Sequence, residues 1–160
     1  MTGVRPLRQR PLDLLLVAFF SVSVTYGLLF SLPEGLGVPV SADSPWPPLR
    51  QLHAWAVDVE PAHLDPPASL LASCLLDGLV HSPFLVVLIF AIVTGRNWIR
   101  IPAFVYVGSS VTNMFLYFAE TFLGPNPPLD LVTYVPLNLP WLLVPLLLAW
   151  RIRRPEPFSD

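Results

Sequence analysis

The amino-acid sequence predicts an all-α integral membrane protein, a four-transmembrane-helix bundle with an amphipathic helix in its first long loop. Of the 160 residues, 54% are hydrophobic and only 12% are charged, whereas roughly a quarter of the residues in soluble domains carry charge. Four apolar segments are long enough, or nearly so, to cross a hydrocarbon layer of about 30 Å, which takes about 20 helical residues. We therefore expect residues 1–160 to form a single membrane domain.

The four spans are predicted at residues 13–32, 68–94, 100–123 and 132–150. Arg5, Arg8 and Arg10 precede the first of them, an arrangement that also occurs in signal peptides. The apolar run that follows is longer than the usual 7–15-residue core of a signal peptide, and no small-residue cleavage site comes after it. The first segment is therefore predicted to remain in the protein as a membrane span.

The basic residues predict how the spans are oriented. All nine are arginines, and eight of them lie before the first span, in the turn GRNWIR at 95–100 or in the RIRR sequence after the last span. The connections at 33–67 and 124–131 are acidic instead, with Arg50 as their one basic residue. Because arginine accumulates in short cytoplasmic connections, both termini are predicted to face the cytoplasm.

The first long connection contains a predicted amphipathic helix. Within PPLRQLHAWAVDVEP, the apolar residues follow the three-four spacing of a helix face, at Leu49, Leu52, Trp55, Ala56 and Val59. Such a helix lies at a membrane surface, where Trp46 and Trp55 would anchor it. Two interpretations stay open: it covers a cavity, or it only packs on the bundle.

Composition and spacing argue against several classes of function. A formal charge of −2 without a basic stripe gives no support to nucleic-acid binding. The single cysteine excludes an internal disulfide, and the three histidines lie in different segments without metal-ligand spacing. No phosphate-binding loop and no serine or cysteine with a neighbouring base is present in the sequence, so no cofactor, metal or covalent mechanism is expected.

Polar residues form two stripes inside the predicted bundle. In the second span Ser73, Asp77 and His81 recur every fourth residue, which places them on one helix face. The third span has a similar face, spaced by 4, 3, 4 and 3 residues: Tyr106, Ser110, Asn113, Tyr117 and Glu120. We expect the two faces to meet, with Asn138 of the fourth span at a similar depth and smaller groups from Ser21 and Thr25 of the first.

Asp77 and His81 are the first candidates for a functional role, because a charged group inside a bilayer is costly and usually faces a bundle interior or a wet cavity. The pair could orient a ligand hydroxyl, balance a ligand amine or move a proton on a substrate. A purely structural hydrogen bond between helices is the other interpretation. Pro83 and the three prolines of the fourth span predict distorted helices that leave room for an elongated apolar ligand with one polar end.

Several blocks of the sequence resemble the four-span EXPERA family, which includes sigma-2-receptor-like proteins and, more distantly, emopamil-binding sterol isomerases. The blocks are PLDLLLVAFFS, EPAHLDPP, LLDGLVHSPF, NWIRIPAFVY and LPWLLVPLLLAWRIR. The resemblance implies an endoplasmic-reticulum membrane protein with cytoplasmic termini and an internal pocket for sterols or amphiphilic amines. It matches Glu60 to a loop acid near the ligand, Asp77 to an acid of the second span, and His81 to its polar partner. Asn138 stands where a pocket-facing tyrosine is expected.

Two departures from the family pattern bear on function. Receptor-like members have an acid near the end of the first span, where this chain has Phe30 and Ser31, with Glu34 one turn beyond. Isomerase members have a histidine and then a glutamate in the second span, whereas here Asp77 precedes His81. The first departure argues against cationic drug-like ligands and the second against isomerase activity.

The sequence thus predicts a protein of lipid homeostasis that binds a sterol or a related amphiphilic lipid without catalysis. Its predicted ligand-binding residues are Glu60, Asp77, His81, Asn113, Tyr117 and Asn138. Two alternatives remain: a sterol double-bond isomerase that uses Asp77 and His81 as a proton relay, and a membrane chaperone or assembly factor for partner membrane proteins. Whether the chain forms a homodimer is left open.

Overall fold

The computed structural model describes residues 6–158, and this part of the chain contains helices and no strands. Four of its helices are long and apolar enough to cross a membrane: α1 (Pro11–Gly35), α3 (Ala68–Thr94), α4 (Asn97–Leu123) and α5 (Leu131–Arg151). Between the first two lies α2 (Pro47–Asp58), followed by a 3₁₀ turn at Pro61–His63. The predicted fold class is therefore confirmed, with span ends that differ by at most three residues from the predicted ones.

A wide π-helical turn interrupts both α1 and α3, at Gly27–Ser31 and Asp77–His81. Each π turn ends two residues before a proline, Pro33 in α1 and Pro83 in α3. A proline ring clashes with the carbonyl four residues earlier and donates no N–H to it; a widened turn relieves that clash. In α1 the carbonyl in question belongs to Leu29, and it accepts a hydrogen bond from the Trp46 indole at 2.7 Å. The helix therefore continues through Pro33 to Gly35.

The helices α1 and α3 cross closely at these two turns because glycines occupy the contact. A side chain on Gly78 would bring its Cβ to 2.9 Å from the Cα of Leu32, and one on Gly27 would collide with the Ser82 hydroxyl. The absence of side chains lets the two π turns lie against each other. This contact brings the end of α1 beside Asp77.

One end of the bundle, here called the basic end, is held by an ion cluster around Asp13, which is fully buried. Arg151 of α5 binds both oxygens of this carboxylate, at 2.6 and 3.0 Å, and Arg10 contacts it at 2.8 Å. Arg10 also donates to the carbonyls of Ile92 and Val93 at the end of α3. Arg5, part of the predicted basic N-terminus, lies outside the described residues.

The largest apolar core lies in the half of the bundle next to the basic end, where the described residues of the four long helices pack together. Its buried members include Phe20, Leu88, Ile92, Ala103 and Leu148. In the opposite half, here called the acidic end, polar side chains occupy the interior. The helix α2 belongs to that half and buries Leu49, Leu52 and Ala56, as its predicted amphipathic pattern requires.

Candidate functional site

A cavity of about 90 Å³ lies between the four long helices on the acidic side of the core. Part of its wall is aromatic or aliphatic: Phe19, Tyr26, Leu70, Leu85, Tyr106, Met114 and Trp141. Another part is polar or ionisable: Glu34, His63, Ser73, Cys74, Asp77, His81, Asn113, Tyr117 and Asn138. The cavity therefore combines apolar surface with a concentrated set of polar groups, the usual character of a small-molecule site.

Asp77 and His81 form a hydrogen-bonded pair in the wall of this cavity. The two residues span the π turn of α3, and His81 Nδ1 lies 2.7 Å from Asp77 Oδ1. On the other side of the ring, His81 Nε2 lies 2.8 Å from the Ser109 hydroxyl of α4. The histidine side chain is 7% exposed and that of Asp77 is 40% exposed. Side chains of the same protein thus bind both ring nitrogens of His81, while the carboxylate of Asp77 stays accessible.

Asn113 joins this pair to the facing helix, as the two polar stripes of the sequence predict. Its amide nitrogen donates to Asp77 Oδ1 at 3.2 Å, and its amide oxygen accepts from the Ser73 hydroxyl at 2.8 Å. Hydrogen bonds between helices inside a membrane fix side-chain orientation at a modest gain in stability. Ser73, Asp77, His81 and Asn113 therefore form one connected network between α3 and α4.

A second cluster, here called the acid–histidine cluster, consists of Glu34, Glu60 and His63. His63 Nδ1 lies 2.7 Å from Glu34 Oε1, and His63 Nε2 lies 3.6 Å from Glu60 Oε2. All three residues are at least 96% buried. The Cys74 thiol of α3 contacts the second oxygen of Glu34 at 3.6 Å. The cluster connects the end of α1 to the loop that precedes α3.

Two opposing effects act on the pKa of His63. Burial disfavours the charged imidazolium, but hydrogen bonds to Glu34 and Glu60 and the charges of both carboxylates favour it more strongly, so the pKa of His63 rises to about 10. At neutral pH this histidine is an imidazolium between two acids. It supplies the positive charge that two buried carboxylates require.

Glu60 links the cluster to two aromatic residues. The Tyr117 hydroxyl of α4 donates to Glu60 Oε1, and the Trp55 indole of α2 donates to Glu60 Oε2 at 3.2 Å. The amphipathic helix α2 is thereby attached to the same buried acid that contacts His63. None of the residues of α2 lines the cavity, so both interpretations, a cover and simple packing, stay open.

The structure brings the six residues predicted from the sequence into one region. Asp77, His81, Asn113, Tyr117 and Asn138 line the cavity, and Glu60 joins it through its contact with Tyr117. Asn138 also donates to the carbonyl of Tyr134 in its own helix at 3.1 Å. The six residues therefore lie close together, and their role in ligand binding stays a prediction.

Other expectations from the sequence need correction. Ser21 and Thr25 do not contribute to the interior: both are exposed, and their hydroxyls donate to carbonyls of their own helix. The polar groups that α1 does provide are those of Ser23, Ser31 and Glu34.

Sequence analysis did not identify Glu34 and His63 as site residues. The predicted first span ends at residue 32, before Glu34, and His63 has no periodic partner in the sequence. The indole of Trp46 and the π turn are what allow α1 to continue past Pro33. One signal was available: the spacing from π turn to proline is the same in GLLFSLP and DGLVHSP.

The protein-family model for EXPERA, the expanded EBP superfamily, matches residues 49–152, which is well over half of the chain. The chain belongs to the EXPERA family. The match begins in α2 and ends just after α5, so α1 and its Glu34 lie outside it. No curated protein matches the chain closely enough to be counted as a relative.

Membership of the EXPERA family confirms the resemblance inferred from the sequence blocks. Together with the four apolar helices, it identifies a multi-pass membrane protein of a sterol-linked family. Among residues 6–158, no group of three or more histidine, cysteine or acidic side chains is arranged to hold a metal ion.

Proposed function

We propose that this EXPERA protein binds a sterol or a similar amphiphilic lipid in the cavity between its helices and does not transform it. The observation that carries the proposal is the division of the cavity wall. Aromatic and aliphatic side chains such as Phe19 and Trp141 suit an apolar body, and the acids Glu34 and Asp77 suit a hydroxyl at one end. A ligand with a single polar end matches both parts.

The arrangement of the Asp77–His81 pair supports binding rather than catalysis. A proton relay needs a nitrogen or oxygen that faces the reacting atom, but Asp77 and Ser109 occupy the two nitrogens of His81. Asp77 Oδ1 is likewise shared between His81 and Asn113. The groups are held as a fixed network, from which the exposed part of the Asp77 carboxylate can accept a hydrogen bond.

Location and orientation are part of the same proposal. Arg10, Arg96, Arg100 and Arg151 lie at the basic end, and Glu34, Glu60 and Asp130 lie at the acidic end. From the positive-inside rule we infer that both termini face the cytoplasm. The family resemblance supports the endoplasmic-reticulum membrane as the location and lipid handling as the biological role.

The experiment that tests the proposal is a thermal-shift measurement on the purified protein in detergent, with a panel of sterols and amphiphilic amines. A ligand at 100 times its Kd stabilises the folded form by about 2.7 kcal/mol, which corresponds to a rise of roughly 5–10 °C in Tm for a chain of this size. We expect this rise for the wild type and its loss for Asp77→Asn. Asp43→Asn, which changes an exposed loop acid, is the matched control and should keep the rise.

Two results would contradict the proposal. If no sterol shifts the Tm of the wild type, while Asp77→Asn lowers the Tm of the free protein strongly, the polar network is structural. If incubation with a Δ8 sterol yields a double-bond isomer detectable by mass-resolved chromatography, the protein is an enzyme.

A further inference from the structure

A second concave surface, here called the α3–α4 groove, lies between these two helices near the acidic end. Its volume is about 650 Å³, and its lining is mostly apolar. Small residues such as Ala72 and Ala119 keep it open, and the exposed side chains of Leu116 and Leu123 form its edge. Because these edge residues are large, apolar and exposed on membrane-spanning helices, the groove faces the acyl chains of the bilayer.

The groove and the cavity share one wall. Leu70, Ser73, Asn113 and Tyr117 line both spaces, so the wall is one layer of side chains thick. Two hydrogen bonds join α3 and α4 at this wall: the Ser73 hydroxyl donates to the Asn113 amide oxygen, and the Asn113 amide nitrogen donates to Asp77 Oδ1. Each hydrogen bond between helices in a membrane contributes modest stability, so a wall held by these bonds can part.

The volumes of the two spaces show why the wall has to move. The cavity, at about 90 Å³, has room for a few water molecules, since one water occupies roughly 10–15 Å³ on this measure. Pockets for drug-sized ligands span about 300–1,000 Å³, a range that includes the groove and excludes the cavity. The cavity therefore holds a sterol-sized molecule only after the wall moves and the two spaces join.

The groove also offers a polar contact for the ligand's polar end. At its outer edge the Ser69 hydroxyl donates to Glu120 Oε2 at 2.7 Å, close to the end of α4, where headgroups lie. A lipid with one hydroxyl can exchange that hydroxyl for Ser69 at Glu120, while its apolar body lies along Ala72 and Leu116. The groove thus matches the same amphiphile that the cavity does.

We propose that the α3–α4 groove is the entry route from the bilayer and that the wall formed by Leu70, Ser73, Asn113 and Tyr117 is its gate. This inference rests on the proposed sterol-binding function. The competing route runs between α1 and α5, where Trp141 packs against Phe19 and Tyr26 with ring centroids 4.9 and 5.6 Å apart. That route is closed by three packed aromatic rings, whereas the wall at the α3–α4 groove contains one aromatic ring, that of Tyr117.

The test measures how fast a fluorescent sterol, dehydroergosterol, binds to and leaves the protein in phosphatidylcholine nanodiscs, by energy transfer from tryptophan in a stopped-flow instrument. Ala72→Phe fills the groove without touching the cavity and adds no tryptophan donor. We expect it to slow association and dissociation about tenfold each, because the ligand passes through the groove in both directions. Ser73→Ala removes one of the bonds across the wall and should accelerate both rates.

Two lipid-facing variants serve as comparisons. Val105→Phe changes a residue of α4 that is 70% exposed and outside both spaces, and it should leave the rates at wild-type values. Val22→Phe adds bulk beside the α1–α5 route. Wild-type rates in Ala72→Phe, or slowing confined to Val22→Phe, would overturn the entry route while leaving sterol binding intact. Absence of equilibrium binding in the wild type would overturn the proposed function and the entry route with it.

Discussion

The acid–histidine cluster predicts that replacing His63 by glutamine severely destabilises the protein. Glutamine has a similar reach but carries no charge, so Glu34 and Glu60 would remain buried without a cation. Removing one partner of a buried ion pair typically costs about 3–5 kcal/mol. For a chain of this size each kcal/mol lowers Tm by roughly 2–4 °C, so we expect a drop in Tm of about 6–20 °C.

The pH dependence gives this prediction a specific signature. The pKa of His63 is about 10 in the folded protein, against an ordinary value of 6.5. A raised pKa stabilises the fold fully below pH 6.5, and this contribution is lost as pH rises toward 10. The Tm difference between wild type and His63→Gln should therefore be largest at pH 6 and should shrink steadily up to pH 10. Groups outside the cluster that titrate in this range affect both proteins equally and cancel in the difference.

The assay is thermal unfolding in detergent, followed by tryptophan fluorescence at several pH values. His53→Gln is the matched control, since His53 lies on α2 outside the cluster and is only half-buried; its Tm should stay near that of the wild type. The double variant Glu34→Gln/His63→Gln also removes one of the unpaired acids. Its loss of stability should therefore be smaller than the sum of the losses in the two single variants. A Tm loss under 2 °C, or a difference that does not change with pH, would refute the charge assignment of the cluster.

Two further predictions concern other parts of the bundle. Asp13→Asn should lower the free energy of unfolding by about 3–5 kcal/mol, because the Arg151 guanidinium loses its buried partner. Sterol affinity per folded molecule, measured by equilibrium titration, should not change. A large loss of affinity would contradict the separation of the basic end from the cavity. Gly27→Ala should destabilise by about 1–3 kcal/mol, because its Cβ collides with Ser82 Oγ. Gly108→Ala meets nothing within 4 Å and should be neutral or stabilising in the same unfolding assay; equal losses in both variants would contradict a close crossing at Gly27.

The sequence was most informative where a property depends on spacing within one segment. The four spans follow from runs of apolar residues, and α2 follows from the three-four pattern that buries Leu49, Leu52 and Ala56. The contact between Asp77 and His81 is also local, because a separation of four residues places two side chains on one helix face. Asn113 was predicted opposite Asp77 from the facing stripe, and its amide does bind that carboxylate.

The sequence was less informative where a contact from another part of the chain overrides a local pattern. Pro33 indicates a helix end, but the indole of Trp46, 17 residues away from Leu29, satisfies the carbonyl that the proline leaves free. Polar residues in α1 gave the wrong expectation for a similar reason. Ser21 and Thr25 can bond to their own helix and face lipid, so their polarity alone did not indicate which face is inside.

By itself, the sequence determined the membrane class, the four spans, the amphipathic helix and the pairing within α3, all of which depend on composition or on the helical repeat. Only the tertiary structure decided that Glu34 meets His63, 29 residues further along the chain, and that a one-layer wall separates the cavity from the α3–α4 groove. Contacts between segments of different helices depend on how closely those helices approach. The approach of α1 to α3 was decided by packing at Gly27 and Gly78, which no periodicity in the sequence encodes.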